Sequence, residues 1–287
     1  MTYEIVKTGN RKMSGRVAAQ NRHHRLLLAC LAPATVFFVA FWILPVVRLI
    51  ALPAEKGWET YFLVLTDSRY MWSMINTVLL SLATTVVTLV IGGAVGVYLA
   101  RRRFAGRQVL LSLLTAPLAF PGVIIGFFII LLGGRQGWFA DLSSAVGMGR
   151  MTFAYGMIGL FLGYLYFSLP RAIASYTAAA EAMDGQLEEA ARVLGASRWE
   201  ITRDVWLPQL APTTVACGAI VFATAMGAFG TAFTLASKFE VVPITIYNEF
   251  TNYANFALAA SLSIALGLVT WAVLFLARVA GTASSGA

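Results

Sequence analysis

Six uncharged apolar runs take up most of this chain: residues 26–47, 70–100, 108–134, 151–170, 205–237 and 251–277. Crossing about 30 Å of hydrocarbon as a helix takes roughly 20 apolar residues, and every run reaches that length. In lipid, each backbone N–H and C=O must find a partner within the protein, which restricts spanning segments to helices or closed barrels. Runs this long without alternation select helices. The pattern predicts an all-α fold, a polytopic bundle of six transmembrane helices. Residues 26–278 form one membrane domain between a basic tail (1–25) and a short tail (279–287). Pro-marked and polar ends such as Leu207–Pro208 and Thr251–Asn255 belong at the membrane interface.

The charges that remain are distributed unevenly. Only 12% of residues are charged and the mean hydropathy is +0.76, whereas about a quarter of residues are charged in an ordinary soluble domain. No soluble catalytic domain fits between the runs. With the N-terminus inside, the inner segments carry 15 Lys and Arg and the outer segments 6, the bias expected of cytoplasmic loops. Both termini are therefore expected in the cytoplasm. Topology and contact with anionic lipid account for the net charge of +8, without nucleic acid. Arg101–Arg102–Arg103 reads as a topology anchor. The first run is too long for the core of a signal peptide and reads as a retained helix. Cys30 and Cys217 each lie in an apolar run and read as buried packing thiols. His23 and His24 are the only histidines, so no metal site is expected.

Two runs contain helix breakers. Pro117 and Pro121, followed by Gly122 and Gly126, remove backbone donors from the third run and predict a kinked or broken helix. Such a break at mid-membrane either packs against neighbours or lines a polar path. The fifth run centres on Gly227, Phe229, Gly230 and Thr231, where small residues let helices approach closely. Candidate residues for a translocation path are Asn76, Pro117, Pro121, Phe229, Thr231, Tyr247 and Glu249.

The longest polar stretch, Arg171 to Asp204, holds ten charged residues. Asp184 is placed to cap a helix whose apolar positions Leu187, Ala190, Ala191 and Leu194 share one face. Glu188 and Glu189 fall in its first turn, where the helix dipole favours negative charge. Gly195 suits the left-handed position after its end. Ser197–Arg198–Trp199–Glu200 has the form of a capping box and opens a second short helix, which Pro208 ends unless it starts the next span. Trp199, Val205 and Trp206 then need a surface to bury against. Loops this short supply none, which implies another protein chain.

These residues carry a resemblance. Glu189–Ala190–Ala191, three residues, Gly195, nine residues, Val205, one residue, Leu207 and Pro208 resembles the E-A-A-x3-G-x9-I-x-L-P signature of permeases of binding-protein-dependent ABC importers, with Val in place of Ile. Asn76–Thr77, the Pro-rich third run and Pro243–Tyr247 look like the spermidine/putrescine-type branch, and the resemblance covers about residues 26–278. It implies that 184–208 is a cytoplasmic coupling helix-turn-helix docked on a separate ATPase subunit. Glu189 would supply the charged contact, Gly195 the turn, and Ala190, Ala191, Val205, Leu207 and Pro208 the fit. The partners implied are two ATPase subunits, a second permease (identical or a sister chain), a periplasmic or lipid-anchored solute-binding protein, and the lipids of a bacterial inner membrane. The chain itself would be a non-catalytic permease without a cofactor, ATP being bound by its partners. The sequence agrees in lacking any G-x-x-x-x-G-K-[ST] segment, the phosphate-binding loop of such ATPases.

Three other functions fit less well. A DNA-binding helix-turn-helix is opposed by Glu200 and Asp204 on its second helix, a membrane enzyme by the lack of ionisable residues inside the runs, and an ATP-independent carrier or channel by the signature loop. The branch resemblance suggests a small polar solute such as a polyamine. Polyamine-type permeases usually place an Asp in the fifth span, however, and this chain has Gly227–Ala228–Phe229 there. The alternatives are an aminophosphonate, an amino-acid derivative or a chelated metal.

Overall fold

The computed structural model describes residues 31–236 and 239–284. The tail 1–25, the start of the first run with Cys30, and residues 285–287 lie outside the described residues. Among the described residues the chain is helical throughout, without strands. The helices are α1 (Leu31–Glu55), α2 (Glu59–Thr66), α3 (Ser68–Arg101), α4 (Arg107–Ala119), α5 (Gly122–Gly133), α6 (Trp138–Ala145), α7 (Met157–Glu181), α8 (Gly185–Val193), α9 (Arg198–Met226), α10 (Phe229–Leu235), α11 (Val242–Tyr247, prolonged by a wide turn over Asn248–Asn252) and α12 (Phe256–Ser284). Six segments are long and apolar enough to cross a membrane: Leu31–Glu55, Ser68–Arg101, Gly122–Ala145, Met157–Glu181, Arg198–Met226 and Phe256–Val279.

The closest packing is between α3 and α7. Gly92 and Gly96 remove side chains where α7 crosses: a Cβ on Gly92 would stand 2.5 Å from the Cβ of Ala172, and one on Gly96 2.6 Å from that of Tyr176. Without a hydrophobic drive between helices in lipid, such small-residue contacts let backbones approach and gain dispersion energy. The same face of α3 carries Ser73, Thr77, Ser81, Thr84, Thr85 and Thr88, all buried. Thr77 and Thr85 donate to the carbonyls four residues back, at 2.7 Å each; Thr77 Oγ1 also accepts from the N–H of Val242 at 2.9 Å, and Ser73 Oγ shares a 2.8 Å hydrogen bond with Thr245 Oγ1. The other spans pack round this pair. α9 lies against α3, α7 and α12, and α1 lies against α12 on the outside.

Three boundaries differ from those read in the sequence. Run four was placed at 151–170, but α7 starts at Met157 and passes through Pro170 and Arg171 to Glu181. Proline at that position costs one backbone bond, which the packing of α3 and α9 outweighs, and Arg171 is thereby drawn into a span instead of a loop. Run one continues past Val47 and Arg48 to Glu55, with Arg48 Nη1 3.1 Å from Glu55 Oε1. Pro208 does not end a separate short helix: it stands in the first turn of the α-helical stretch Leu207–Met226, which continues from the turns before it. Arg198–Met226 is continuous, because Ile201–Trp206 widens to a π-helix in which Leu207 N–H reaches the carbonyl of Thr202. The wider turn accommodates the proline ring that would strike the preceding turn of an α-helix.

Candidate functional site

The α7–α9 connection has the local structure its sequence specifies. Asp184 accepts from the N–H of Gln186 at 2.9 Å and caps α8. Gly195 follows its end at φ +84°, a left-handed backbone that only glycine adopts without penalty. Ser197 and Glu200 form a reciprocal capping box, Glu200 N–H to Ser197 Oγ at 3.3 Å and Ser197 N–H to Glu200 Oε2 at 2.6 Å. Two short helical arms are thus fixed about one tight turn.

One carboxylate holds this unit to the bundle, and it belongs to Glu188. Its Oε2 lies 2.7 Å from Arg101 Nη1 at the end of α3 and accepts from Trp206 Nε1 of α9 at 3.2 Å. Its Oε1 accepts from Arg192 Nη2, one turn on, at 2.7 Å. The Arg101 guanidinium also lies over the Trp206 ring, 4.8 Å from its centre. Cation–π and charge-assisted contacts of this kind are strong where water is partly excluded. Trp206, which the sequence suggested would need an outside surface, finds polar partners within the chain and is half-buried. Sequence reasoning missed Glu188 and Arg101. Arg101 sits in an arginine triplet that resembles a topology anchor, and the signature drew attention to Glu189 instead.

The opposite face of the loop has no such cover. Val193 and Leu194 are each 87% exposed and Trp199 69%, with Leu187 also exposed; Leu207 is exposed as well, on the side of Glu188. Glu189, Ala190, Gly195 and Pro208 lie on the exposed surface beside them, while Ala191 and Val205 are half-buried. Folded helices seldom leave this much apolar surface together without a partner.

At the other candidate region, the two helix breaks meet. The third run divides at Phe120, whose backbone is extended, between a 3₁₀ turn (Ala116–Ala119) holding Pro117 and α5, which Pro121 caps. The fifth run divides at Gly227–Ala228, between α9 and α10. Thr231 Oγ1 donates to the carbonyl of Gly122 at 3.1 Å, and Gly230 abuts the N–H of Val123. Tyr164 donates to the carbonyl freed at Ala228, at 3.1 Å. Phe229, Phe233 and Tyr247 form a three-ring cluster with centroids 5.4 Å apart. Pro121, Phe229, Thr231 and Tyr247 thus come together at one junction. Asn76 and Glu249 lie elsewhere. Asn76 Nδ2 donates to the carbonyl of Glu240 at 3.3 Å, and Glu249, 3% exposed, accepts from Tyr70 Oη at 2.9 Å and from Asn255 Nδ2 at 3.4 Å.

Arg171 lies inside α7, well away from both of its ends. It lies about 20 Å along α7 from Met157 and about 15 Å from Glu181, at 1.5 Å per residue. Half-buried, it donates to Thr224 Oγ1 of α9 at 3.1 Å and has no carboxylate partner among the described residues.

The structure resembles that of a bacterial ABC transporter involved in import of the acidic polysaccharide alginate, with a TM-score of 0.81 at 19% identity over 93% of this chain and 98% of the other. In sequence, the chain is 30% identical over 249 residues to Sulfate permease 2, chloroplastic, of Chlamydomonas reinhardtii, covering 84% of this chain and 66% of the relative. It is also 30% identical over 220 residues to the molybdenum transport system permease protein ModB of Escherichia coli K12, covering 72% of this chain and 93% of the relative. These relatives lend no support to the spermidine/putrescine branch. Residues 92–284 match the family model of the binding-protein-dependent transport system inner membrane component. With more than half its length matched, including both helix breaks and the whole α8–α9 unit, this chain belongs to that family of ABC importer permeases.

Proposed function

We propose that the α8–α9 unit is the surface on which a separate ATPase subunit acts, and that the chain works with a second permease, two ATPase subunits and a solute-binding protein. The observation that carries this reading is the pairing of opposite properties on one small unit. An exposed apolar face (Val193, Leu194, Trp199) is mounted on arms that Glu188 ties rigidly to α3 and α9. A docking surface that must transmit displacement needs both. The surplus of Lys and Arg on this side supports a cytoplasmic position for it and for both termini. Replacing Leu194 by Asp is expected to abolish solute uptake and co-purification of the ATPase while membrane insertion continues. Unchanged uptake would refute the assignment.

For the solute, we propose a small anion of the sulfate kind in place of a polyamine. Arg171 supports this: a guanidinium deep in a span, held by one neutral hydroxyl, raises the local potential and repels a polycation. Intramembrane charges without a counter-ion face water-filled paths far more often than lipid. The relatives' sulfate and molybdenum names agree with this class. Uptake of radiolabelled sulfate and of molybdate by the reconstituted complex is the test. Uptake of spermidine with neither anion transported would reverse the reading.

A further inference from the structure

A groove of about 840 Å³ runs up the outside of the bundle between the second half of α3 and the first half of α9, with Tyr176 of α7 in its lining. Its upper walls are apolar, from Leu89 to Val97 on α3 and from Leu207 to Leu210 on α9. Val90 and Leu207 are more than half exposed. Its lower end carries Arg101, Arg102, Arg192 and Arg198, against the single carboxylate of Glu188. That carboxylate is already engaged by Arg101, Arg192 and Trp206. Arg102 and Arg198 have no carboxylate partner among the described residues, and both line this end of the groove, Arg102 just past the end of α3 and Arg198 at the start of α9.

We infer that this groove binds one anionic phospholipid, its phosphate between Arg102 and Arg198 and an acyl chain lying along Leu89, Gly93 and Val97. The dimensions and the charge agree on that occupant. From Leu89 to Arg101 the helix rises about 18 Å, more than half the hydrocarbon thickness of about 30 Å, so the length of the groove matches one leaflet with the arginines at headgroup level. A free inorganic anion satisfies the arginines and leaves the apolar walls uncovered. An apolar helix of a second chain covers the walls and leaves two guanidinium groups unpaired. Basic pockets between spans on the cytoplasmic side hold anionic headgroups for the same reasons. The bound phosphate bridges α3 to the start of α9, a second tie beside the Glu188 contacts, which makes the stiffness of the α8–α9 unit dependent on the lipid.

The inference rests on the chain being membrane-embedded and is independent of the ATPase assignment. The test is quantitative lipid mass spectrometry on the complex purified from native membranes in mild detergent, with the co-purifying proteins scored in the same sample. The expected result is about one phosphatidylglycerol or cardiolipin retained per chain. In Arg102→Gln/Arg198→Gln, retention falls about 30-fold, from the loss of two basic contacts. Arg102→Lys keeps the charge and retains the lipid. Ala94→Trp fills the exposed apolar wall and displaces the lipid with every arginine intact. The inference is overturned if the wild-type chain retains no anionic lipid, if the double variant retains as much as wild type, if Ala94→Trp has no effect, or if sulfate displaces the lipid, which would assign the arginines to the solute. An ATPase present or absent in these preparations bears only on the coupling proposal.

Discussion

The indole Nε1 of Trp206 donates to Glu188 Oε2 at 3.2 Å, joining α8 to the first turns of α9 across eighteen residues of sequence. The same oxygen lies 2.7 Å from Arg101, so one carboxylate connects α8, α9 and α3. If an ATPase acts on this loop as proposed, a displacement of the turn at Gly195 would reach two spans through this contact.

Glu188→Gln keeps the side-chain shape and removes its charge, leaving Arg101 and Arg192 without a counter-ion. A buried group that loses its charge-assisted partners costs about 1–3 kcal/mol. Hydrogen exchange in residues 185–206 is therefore expected to speed up about tenfold to hundredfold, with exchange in α3 and α7 unchanged. Trp206→Phe removes one hydrogen bond and has a smaller effect. Equal protection in wild type and Glu188→Gln would mean that the loop is held by something else.

Gly195 has no atom within 4 Å of where a Cβ would stand, so substitution there is opposed by backbone conformation alone. A left-handed residue with a Cβ costs about 1–2 kcal/mol, less for Asn. Solute uptake by the reconstituted complex is expected to fall in the order Gly195, Asn, Ala, Val. Uptake with Val equal to wild type would show that the left-handed turn is dispensable.

Much of this was legible in the sequence, and what was not has specific physical causes. The cap at Asp184, the turn at Gly195 and the capping box at Ser197 are local chemistry, set by a few neighbouring residues, and the structure has each of them. The break at Pro117–Pro121 is likewise local. Helix ends were harder to place. A charged residue at Arg171 and a proline at Pro170 ordinarily mark the end of a span, but here α3 and α9 pack over that turn and the helix continues for another eleven residues. The role of Glu188 was hidden because its partners, Arg101 and Trp206, come from distant parts of the chain. Glu249 reads in the sequence as a candidate for the translocation path. Its burial depends on Tyr70, 179 residues away.

At the seam between α3 and α7, neighbouring glycines should respond differently. Gly92→Ala puts a methyl 2.5 Å from the Cβ of Ala172, whereas Gly93→Ala meets only the Tyr176 ring at 3.4 Å. Overpacking of the first kind costs about 1–3 kcal/mol. Thermal unfolding in detergent is expected several degrees lower for Gly92→Ala and unchanged for Gly93→Ala. Equal midpoints for the two variants would exclude close packing at Gly92.

Glu249 offers a way to separate packing from transport. Tyr70→Phe leaves the buried carboxylate without its 2.9 Å donor, a loss of about 1–3 kcal/mol. Thermal stability is expected to fall while the substrate concentration for half-maximal uptake stays the same. A shift in that concentration without loss of stability would put Glu249 in contact with solute.

The ATPase assignment of the α8–α9 unit is tested most directly by site-specific cross-linking in native membranes. A Leu194→Cys chain, treated with a short thiol-to-amine cross-linker, is isolated and its conjugates identified by mass spectrometry, with an exposed residue at the other end of the bundle, Phe62→Cys, as the control. The expected product at 194 is a conjugate with a protein carrying a G-x-x-x-x-G-K-[ST] loop, absent from the control. Conjugates at 194 that contain no such ATPase, in membranes that take up solute, would contradict the coupling role of this loop.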